Sequence, residues 1–212
     1  MTKIRLLVAD DHAVVRQGIR QILADTPDFE IVREATDGIQ VLEKLRECKV
    51  DVVVLDLSMP VMSGLEVIKQ VRKEFPSVAI LVLSFHSEEQ YAVRVMKAGA
   101  SGYLTKGSDP EELITALRSV ARGRKYVTGT LAERLAEEIE SGSDKLPHET
   151  LSDREYEVLC LIASGLSIQE IAEKLILSVK TVSTYRTRLV HKMKMHGTAE
   201  LTRYAMMHGL VD

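Results

Sequence analysis

The chain has only two cysteines, Cys48 and Cys160, far apart and without metal-type spacing. That excludes a disulfide framework or a cysteine zinc site as the organising device, and two buried, reduced thiols are expected. No apolar stretch approaches the ~18–20 residues of a membrane span. The first residues enter a strand pattern at once and lack the signature of a secretory leader. A cytoplasmic protein with no membrane partner is expected. Neither sign of charge dominates: 28 Lys and Arg stand against 31 Asp and Glu, a formal net charge of −3. A nucleic-acid footprint must then be a local patch. Internal repeats and low-complexity tracts are also missing. What is present is ordinary for a globular protein, 45% hydrophobic and 28% charged over 212 residues, enough for one or two domains.

Residues 1–123 alternate short apolar runs with helical periodicity. Strands are expected near 4–9, 29–33, 51–55, 78–84 and 101–105, and helices near 13–24, 38–47, 64–75, 88–98 and 109–122. Such alternation predicts a parallel sheet covered on both faces. Pro76-Ser77 and Ala98-Gly99 mark turns. Asp109-Pro110-Glu111-Glu112 reads as a helix start with a capping aspartate. The alternation stops after Gly123. One helix is expected at 130–140, then a small, polar linker at 141–147. From Leu151 the pattern is helical only, with helices near 153–164, 168–175, 179–193 and 198–208. Ser152-Asp153-Arg154-Glu155 is a capping box, and Ile176-Leu177-Ser178 joins two short helices as in a helix-turn-helix.

Acidic residues end two of the strand runs, Asp10-Asp11 and Asp56, and a lysine ends a third, Lys106. In an open parallel sheet these ends meet at one edge, where ligands bind. Crowded carboxylates repel unless a cation is shared among them. The lysine then offers charge to an anion brought near that cation. The cluster reads as a site where a carboxylate accepts a phosphoryl group beside Mg²⁺.

The order Asp-Asp, then Asp-Leu-Ser-Met-Pro-(three residues)-Gly at 56–64, then Leu-Ser at 83–84, then Gly-Tyr-Leu-Thr-Lys at 102–106 resembles the receiver domains of two-component response regulators. The resemblance covers roughly 3–123 and implies a flavodoxin-like, doubly wound, five-stranded α/β fold. By the same resemblance Asp56 is the phospho-acceptor. Asp10, Asp11, Asp56 and the backbone carbonyl of Ser58 hold Mg²⁺, and Lys106 contacts the phosphoryl group. Ser84 takes the switch hydroxyl position and Tyr103 that of the switching aromatic, whose ring is expected to move inward. One departure is Gly107, where many receivers have a proline in a cis peptide. A non-proline cis bond costs ~2.5–4 kcal/mol, so that geometry is not expected here. Phosphatases with an aspartyl phosphate carry a second acid two residues after the nucleophile. Here that position is Ser58, which argues against an enzyme acting on small substrates.

Residues 180–194 hold five basic side chains, Lys180, Arg186, Arg188, Lys192 and Lys194, and no acid. Val182, Leu189 and Met193, with part of Tyr185 or Arg186, make a packing face. Lys180, Ser183, Thr184, Thr187 and His191 fall on another. That polar, short-chained face suits a helix in a major groove. Leu151-Ser-Asp-Arg-Glu-Tyr-Glu-Val-Leu, Gly165-Leu-Ser-Ile-Gln-Glu-Ile-Ala-Glu-Lys-Leu and Ser178-Val-Lys-Thr-Val resemble the LuxR-type helix-turn-helix over about 149–212. The resemblance puts base reading on Ser183, Thr184 and Thr187. Lys180, Arg186, Arg188 and Lys192 are candidates for phosphate contacts or for pairing with acids inside the domain.

Together the halves resemble a NarL/FixJ-type response regulator. The expected organisation is a receiver at 1–123, a linker with a helix at 124–148 and a small all-α DNA-binding domain at 149–212. The resemblance implies a partner histidine kinase, a homodimer when phosphorylated, inverted-repeat promoter DNA and contact with RNA polymerase. The alternative is a pseudo-response regulator that acts through protein contacts independently of phosphorylation. The intact set of Asp10, Asp11, Asp56 and Lys106 argues against it.

Overall fold

A computed structural model describes residues 3–85, 88–129, 131–133 and 146–211. The chain divides into two compact units, Met1–Arg134 and Leu135–Asp212.

In the first unit five strands pair in parallel: β1 (Ile4–Ala9), β2 (Phe29–Ala35), β3 (Val52–Leu55), β4 (Ala79–Ser84) and β5 (Gly102–Thr105), in spatial order β2-β1-β3-β4-β5. Helices α1 (Ala13–Ala24), α2 (Gly38–Glu47), α3 (Gly64–Glu74), α4 (Glu88–Ala98) and α5 (Pro110–Ala121) follow the strands in turn. Every residue of β3 and β4 is buried, as continuous Val, Ile and Leu runs require of strands covered on both faces. Leu6, Val8, Val54, Leu81 and Leu104 face one core with Ile19 and Leu23 of α1 and Leu113 and Leu117 of α5. Strand alternation sends Ile80, Val82, Ser84 and Tyr103 to the opposite face, where α4 packs against β5 and α3. The chain reverses its direction of travel across the sheet between β1 and β3. Such a switch point opens a crevice beyond the carboxyl ends of the two strands.

The elements expected at 1–123 are all found, with β2 running two residues longer than its apolar core suggested. Asp109 does sit at the N-cap of α5, yet its side chain makes no capping bond. The Glu112 and Leu113 N–H groups donate instead to the Asp109 main-chain carbonyl, at 3.0 and 3.2 Å. Of the helix expected at 130–140, only 131–133 are described, and they are helical. The rest of it, and most of the 141–147 linker, lie outside the described residues.

The second unit opens with a short 3-10 turn (Pro147–Thr150), followed by α6 (Asp153–Ala163), α7 (Ile168–Leu175), α8 (Val179–Lys192) and α9 (Thr198–Met207). Capping boxes start α6, with Ser152 and Glu155, and α7, with Ser167 and Glu170. The turn between α7 and α8 places Ile176 in the left-handed region at φ 52°, and Ser178 then caps α8 through the Thr181 N–H. Leu159, Ile171, Val182, Leu189 and Leu201 form the buried centre. Among the described residues no helix is long and apolar enough to cross a membrane.

Candidate functional site

The strand register sets Ala9 opposite Leu55, so β1 and β3 end level and the next residue of each emerges at the crevice. The Asp56 N–H donates to the Ala9 carbonyl at 2.9 Å, and the Asp10 N–H to the Ala35 carbonyl at 3.1 Å. Both aspartates are only 2% exposed. The Lys106 N–H donates to the Ser84 carbonyl at 2.8 Å, which registers the end of β5 against that of β4. The buried Lys106 ammonium lies 2.7 Å from Asp10 Oδ2 and 2.9 Å from Asp56 Oδ2. These are ion pairs by distance, while their angles are not those of hydrogen bonds. Both Asp56 carboxylate oxygens and Lys106 Nζ are thus left without an aligned partner.

Asp11 stands at the rim, partly exposed. With Asp10, Asp11 and Asp56 ionised, Lys106 leaves two negative charges in excess. Burial pushes the Asp56 carboxyl above the ordinary carboxylate value, and the Asp10 charge pushes the same way. The Lys106 ammonium and the Ser58 backbone N–H offset this only in part. Side-chain ligand atoms of Asp10, Asp11, His12 and Asp56 lie within 4.8 Å of one another. Crowded hard oxygens, excess negative charge and unaligned buried oxygens are what a divalent cation satisfies.

The loop after Asp56 fits closely around the site. A Cβ on Gly64 would come 2.5 Å from the Asp56 carbonyl oxygen and 2.7 Å from Leu57 Cα, so only glycine admits this approach. Ser63 and Glu66 close a capping box on α3, and the Gly64 N–H donates to the Leu57 carbonyl at 3.0 Å. Ser58 is half-buried in this loop.

Ser84 and Tyr103 lie on one face of the sheet, on adjacent strands. Ser84 is paired with Thr105, and Tyr103 with Val82. Both are fully buried. Opposite Val82 on the covered face, the Tyr103 ring has no exposed surface.

Three further residues belong to this site. His12 Nδ1 lies 2.8 Å from Asp11 Oδ1 and 3.2 Å from Asp10 Oδ1, and the His12 N–H donates to Asp10 Oδ1 at 2.8 Å. Arg16, one turn into α1, donates to the Asp10 carbonyl at 2.8 Å and to Glu34 at 3.0 Å. Phe85, 71% exposed, lays its ring 4.6 Å from Lys106 Nζ and stands edge-on to His12. The only sequence signal for His12 and Phe85 was adjacency, since His12 follows Asp-Asp and Phe85 follows Ser84, and Arg16 had none.

In the second unit Val182, Leu189 and Met193 of α8 and its C-cap are buried, as the periodicity required. Lys180, Ser183, Thr184, Arg186, Thr187, Arg188 and His191 are exposed. Thr184 Oγ1 donates to the Lys180 carbonyl at 2.9 Å and Thr187 Oγ1 to that of Ser183 at 3.0 Å. Two of the basic candidates have partners inside the domain. Lys192 Nζ donates to buried Glu155 at 2.6 Å, and Arg186 Nε to Thr198 Oγ1 at 3.1 Å.

Residues 6–118 match the family described as response regulator receiver domain, and residues 149–205 match bacterial regulatory proteins, luxR family. The response regulator UvrY of Escherichia coli is 41% identical over 210 residues, spanning 99% of this chain and 96% of UvrY. The response regulator GacA of Pseudomonas aeruginosa is 38% identical over 210 residues, spanning 99% of this chain and 98% of GacA. The structure of the response regulator RcsB from Salmonella typhimurium superposes at a TM-score of 0.71 with 29% identity, covering 98% of this chain and 99% of that one. RcsB dimers bound to DNA match at a TM-score of 0.60 with 28% identity over 97% of this chain and 98% of that one. Two family matches that account for both units, and relatives similar from end to end, place the chain among the NarL/FixJ-type response regulators, transcription regulators in which phosphorylation of a receiver domain controls a LuxR-type DNA-binding domain.

Proposed function

We propose that Asp56 is the residue phosphorylated, with a phosphohistidine of a partner kinase as donor. One observation carries this. Asp56 is a buried carboxylate at the switch point, without an aligned hydrogen-bond partner, between Asp10 and an ammonium that pairs with it at 2.9 Å. An Asp56 carboxylate oxygen attacks phosphorus, the P–N bond breaks, and the imidazole leaves with its electron pair. Asp10, Asp11, Asp56 and the Ser58 carbonyl are the residues that would hold Mg²⁺. The ion supplies positive charge that offsets repulsion between the carboxylate and the incoming phosphoryl oxygens. Lys106 then pairs with a phosphoryl oxygen in place of the Asp56 carboxylate. Ser84, at the end of β4 and buried, is the hydroxyl that follows the new phosphoryl group. Tyr103, on the same face, responds by moving its ring further inward behind Ser84.

The domain limits proposed are 1–123, a linker at 124–148, and 149–212. Phosphorylation promotes a homodimer whose two helical domains bind an inverted repeat, as RcsB dimers on DNA support. Ser183, Thr184 and Thr187 meet base edges. Lys180, Arg186, Arg188 and Lys192 lie where phosphates run, Arg186 and Lys192 also serving the domain's own packing. The protein works in the cytoplasm, where promoter DNA, RNA polymerase and the kinase's phosphotransfer surface meet. Asp56→Asn tests the reading: it should abolish labelling by acetyl phosphate and the accompanying gain in affinity for promoter DNA. Wild-type labelling of that variant removes Asp56 from this role.

A further inference from the structure

An imidazole stands beside the carboxylates of the acidic pocket. We infer that His12 completes this pocket as a site for a first-row transition ion, Co²⁺ above all and Mn²⁺ less tightly, which it binds through an imidazole nitrogen in addition to carboxylates. This rests on the reading of Asp10, Asp11 and Asp56 as a metal site.

The geometry carries the inference. Side-chain ligand atoms of Asp10, Asp11, His12 and Asp56 fit within 4.8 Å of one another. Two ligands on opposite sides of an octahedral ion lie about 4.2 Å apart, twice a bond of ~2.1 Å. The spread thus exceeds an ion's coordination sphere by only a fraction of an ångström. The pocket is charged to receive a cation, since Asp10, Asp11 and Asp56 face the single Lys106 ammonium, and neither buried Asp56 oxygen has an aligned hydrogen-bond partner. His12 is held beside it at two points, its backbone N–H on Asp10 and its ring nitrogen 2.8 Å from Asp11. The ring is half-exposed, so turning toward an ion costs little burial.

The chemistry sets the selectivity. Mg²⁺ takes hard oxygen ligands and gains little from imidazole. Affinity for mixed nitrogen and oxygen sites instead rises from Mn²⁺ through Co²⁺ along the first transition row. A neutral imidazole adds a donor without adding charge to a crowded anionic pocket. His12 therefore raises affinity most for Co²⁺, less for Mn²⁺, and leaves that for Mg²⁺ nearly unchanged.

The test uses the full chain. Mn²⁺ bound to the wild type should show nitrogen coupling in pulsed electron paramagnetic resonance, lost in His12→Asn. Asparagine suits the N-cap that His12 occupies on α1, so this variant keeps the fold. By calorimetry His12→Asn should weaken Co²⁺ by at least the ~10-fold that losing even an outer-shell partner costs, and Mg²⁺ by less than about twofold. Manganese bound without nitrogen coupling in the wild type overturns the inference, as does equal weakening of Co²⁺ and Mg²⁺. Either result leaves His12 only orienting Asp11. If no divalent ion binds the wild type, the metal-site reading itself fails, and this inference with it.

Discussion

Lys106 leaves β5 and Asp56 leaves β3, yet Lys106 Nζ stands 2.9 Å from Asp56 Oδ2. The lysine stem therefore spans the end of β4, the strand between them, whose last residue is Ser84. Any change of charge on Asp56 is felt across three strand ends through one side chain. That contact links the acidic pocket to the buried face that carries Ser84 and Tyr103.

Labelling with acetyl phosphate should depend on the carboxylates in a graded way. Asp56→Asn should lose it. Asp11→Ala should only slow it, because Asp11 stands at the rim, and raised Mg²⁺ should partly restore the rate. Chelation of divalent ions should stop labelling of the wild type. Labelling that survives chelation would remove the metal from the reaction.

Burial raises the Asp56 carboxyl from its ordinary value of 3.8, and Asp10 adds to the shift against the opposing Lys106. The folded chain then holds a proton at pH values where the unfolded chain has released it. This contribution to stability is full below about pH 3.8 and falls as pH rises through the folded value. At neutral pH without divalent ions, Asp56→Asn should therefore melt higher than the wild type. Added Mg²⁺ should narrow the gap. A lower melting temperature for the variant in chelator would contradict the sign.

Ser84→Ala should leave labelling in place while uncoupling it from dimerisation. The hydroxyl is buried at the end of β4, on the face it shares with Tyr103. A coupling of ~1–3 kcal/mol changes populations ~5–150-fold, well within reach of sedimentation velocity. Dimerisation that still follows phosphorylation in this variant would send the signal by another route.

On DNA, the two kinds of exposed side chain on α8 should separate. Thr184 and Thr187 donate their hydroxyl protons to the helix, which leaves methyls and oxygen lone pairs for the bases. Thr184→Ala and Thr187→Ala should weaken a cognate duplex more than a scrambled one, by ~1–3 kcal/mol each. Lys180→Ala and Arg188→Ala should weaken both duplexes alike and lower the salt slope by about one. Binding isotherms at several salt concentrations decide this. Equal losses for both duplexes in the threonine variants would show that they do not read sequence.

Lys192 should matter to the fold as much as to DNA. Lys192→Met leaves the buried Glu155 carboxylate without its ammonium, and the second unit should lose ~1–2 kcal/mol in thermal melts. Adding Glu155→Gln should recover part of that loss, because the uncompensated charge is gone. A single variant as stable as the wild type would make the pair incidental.

The local chemistry was legible from the residues alone. Continuous apolar runs at 52–55 and 79–84 could only be strands covered on both faces. The Ser152–Glu155 capping box placed the start of α6, and acids at strand ends named the pocket. These are short-range properties, set by backbone sterics, side-chain periodicity and hydrogen bonds within a turn. Tertiary structure decided whatever depended on partners distant in sequence. Tyr103 was buried by its register with Val82, and Lys192 was drawn to Glu155, 37 residues away. His12, Arg16 and Phe85 carried no motif, because a side chain that joins a site through space leaves no periodic mark. Sequence alone thus determined which groups the protein has and which elements hold them. Only the folded sheet decided which charges meet, because the parallel register brings the ends of β1, β3 and β5 to one edge and withdraws them together from water.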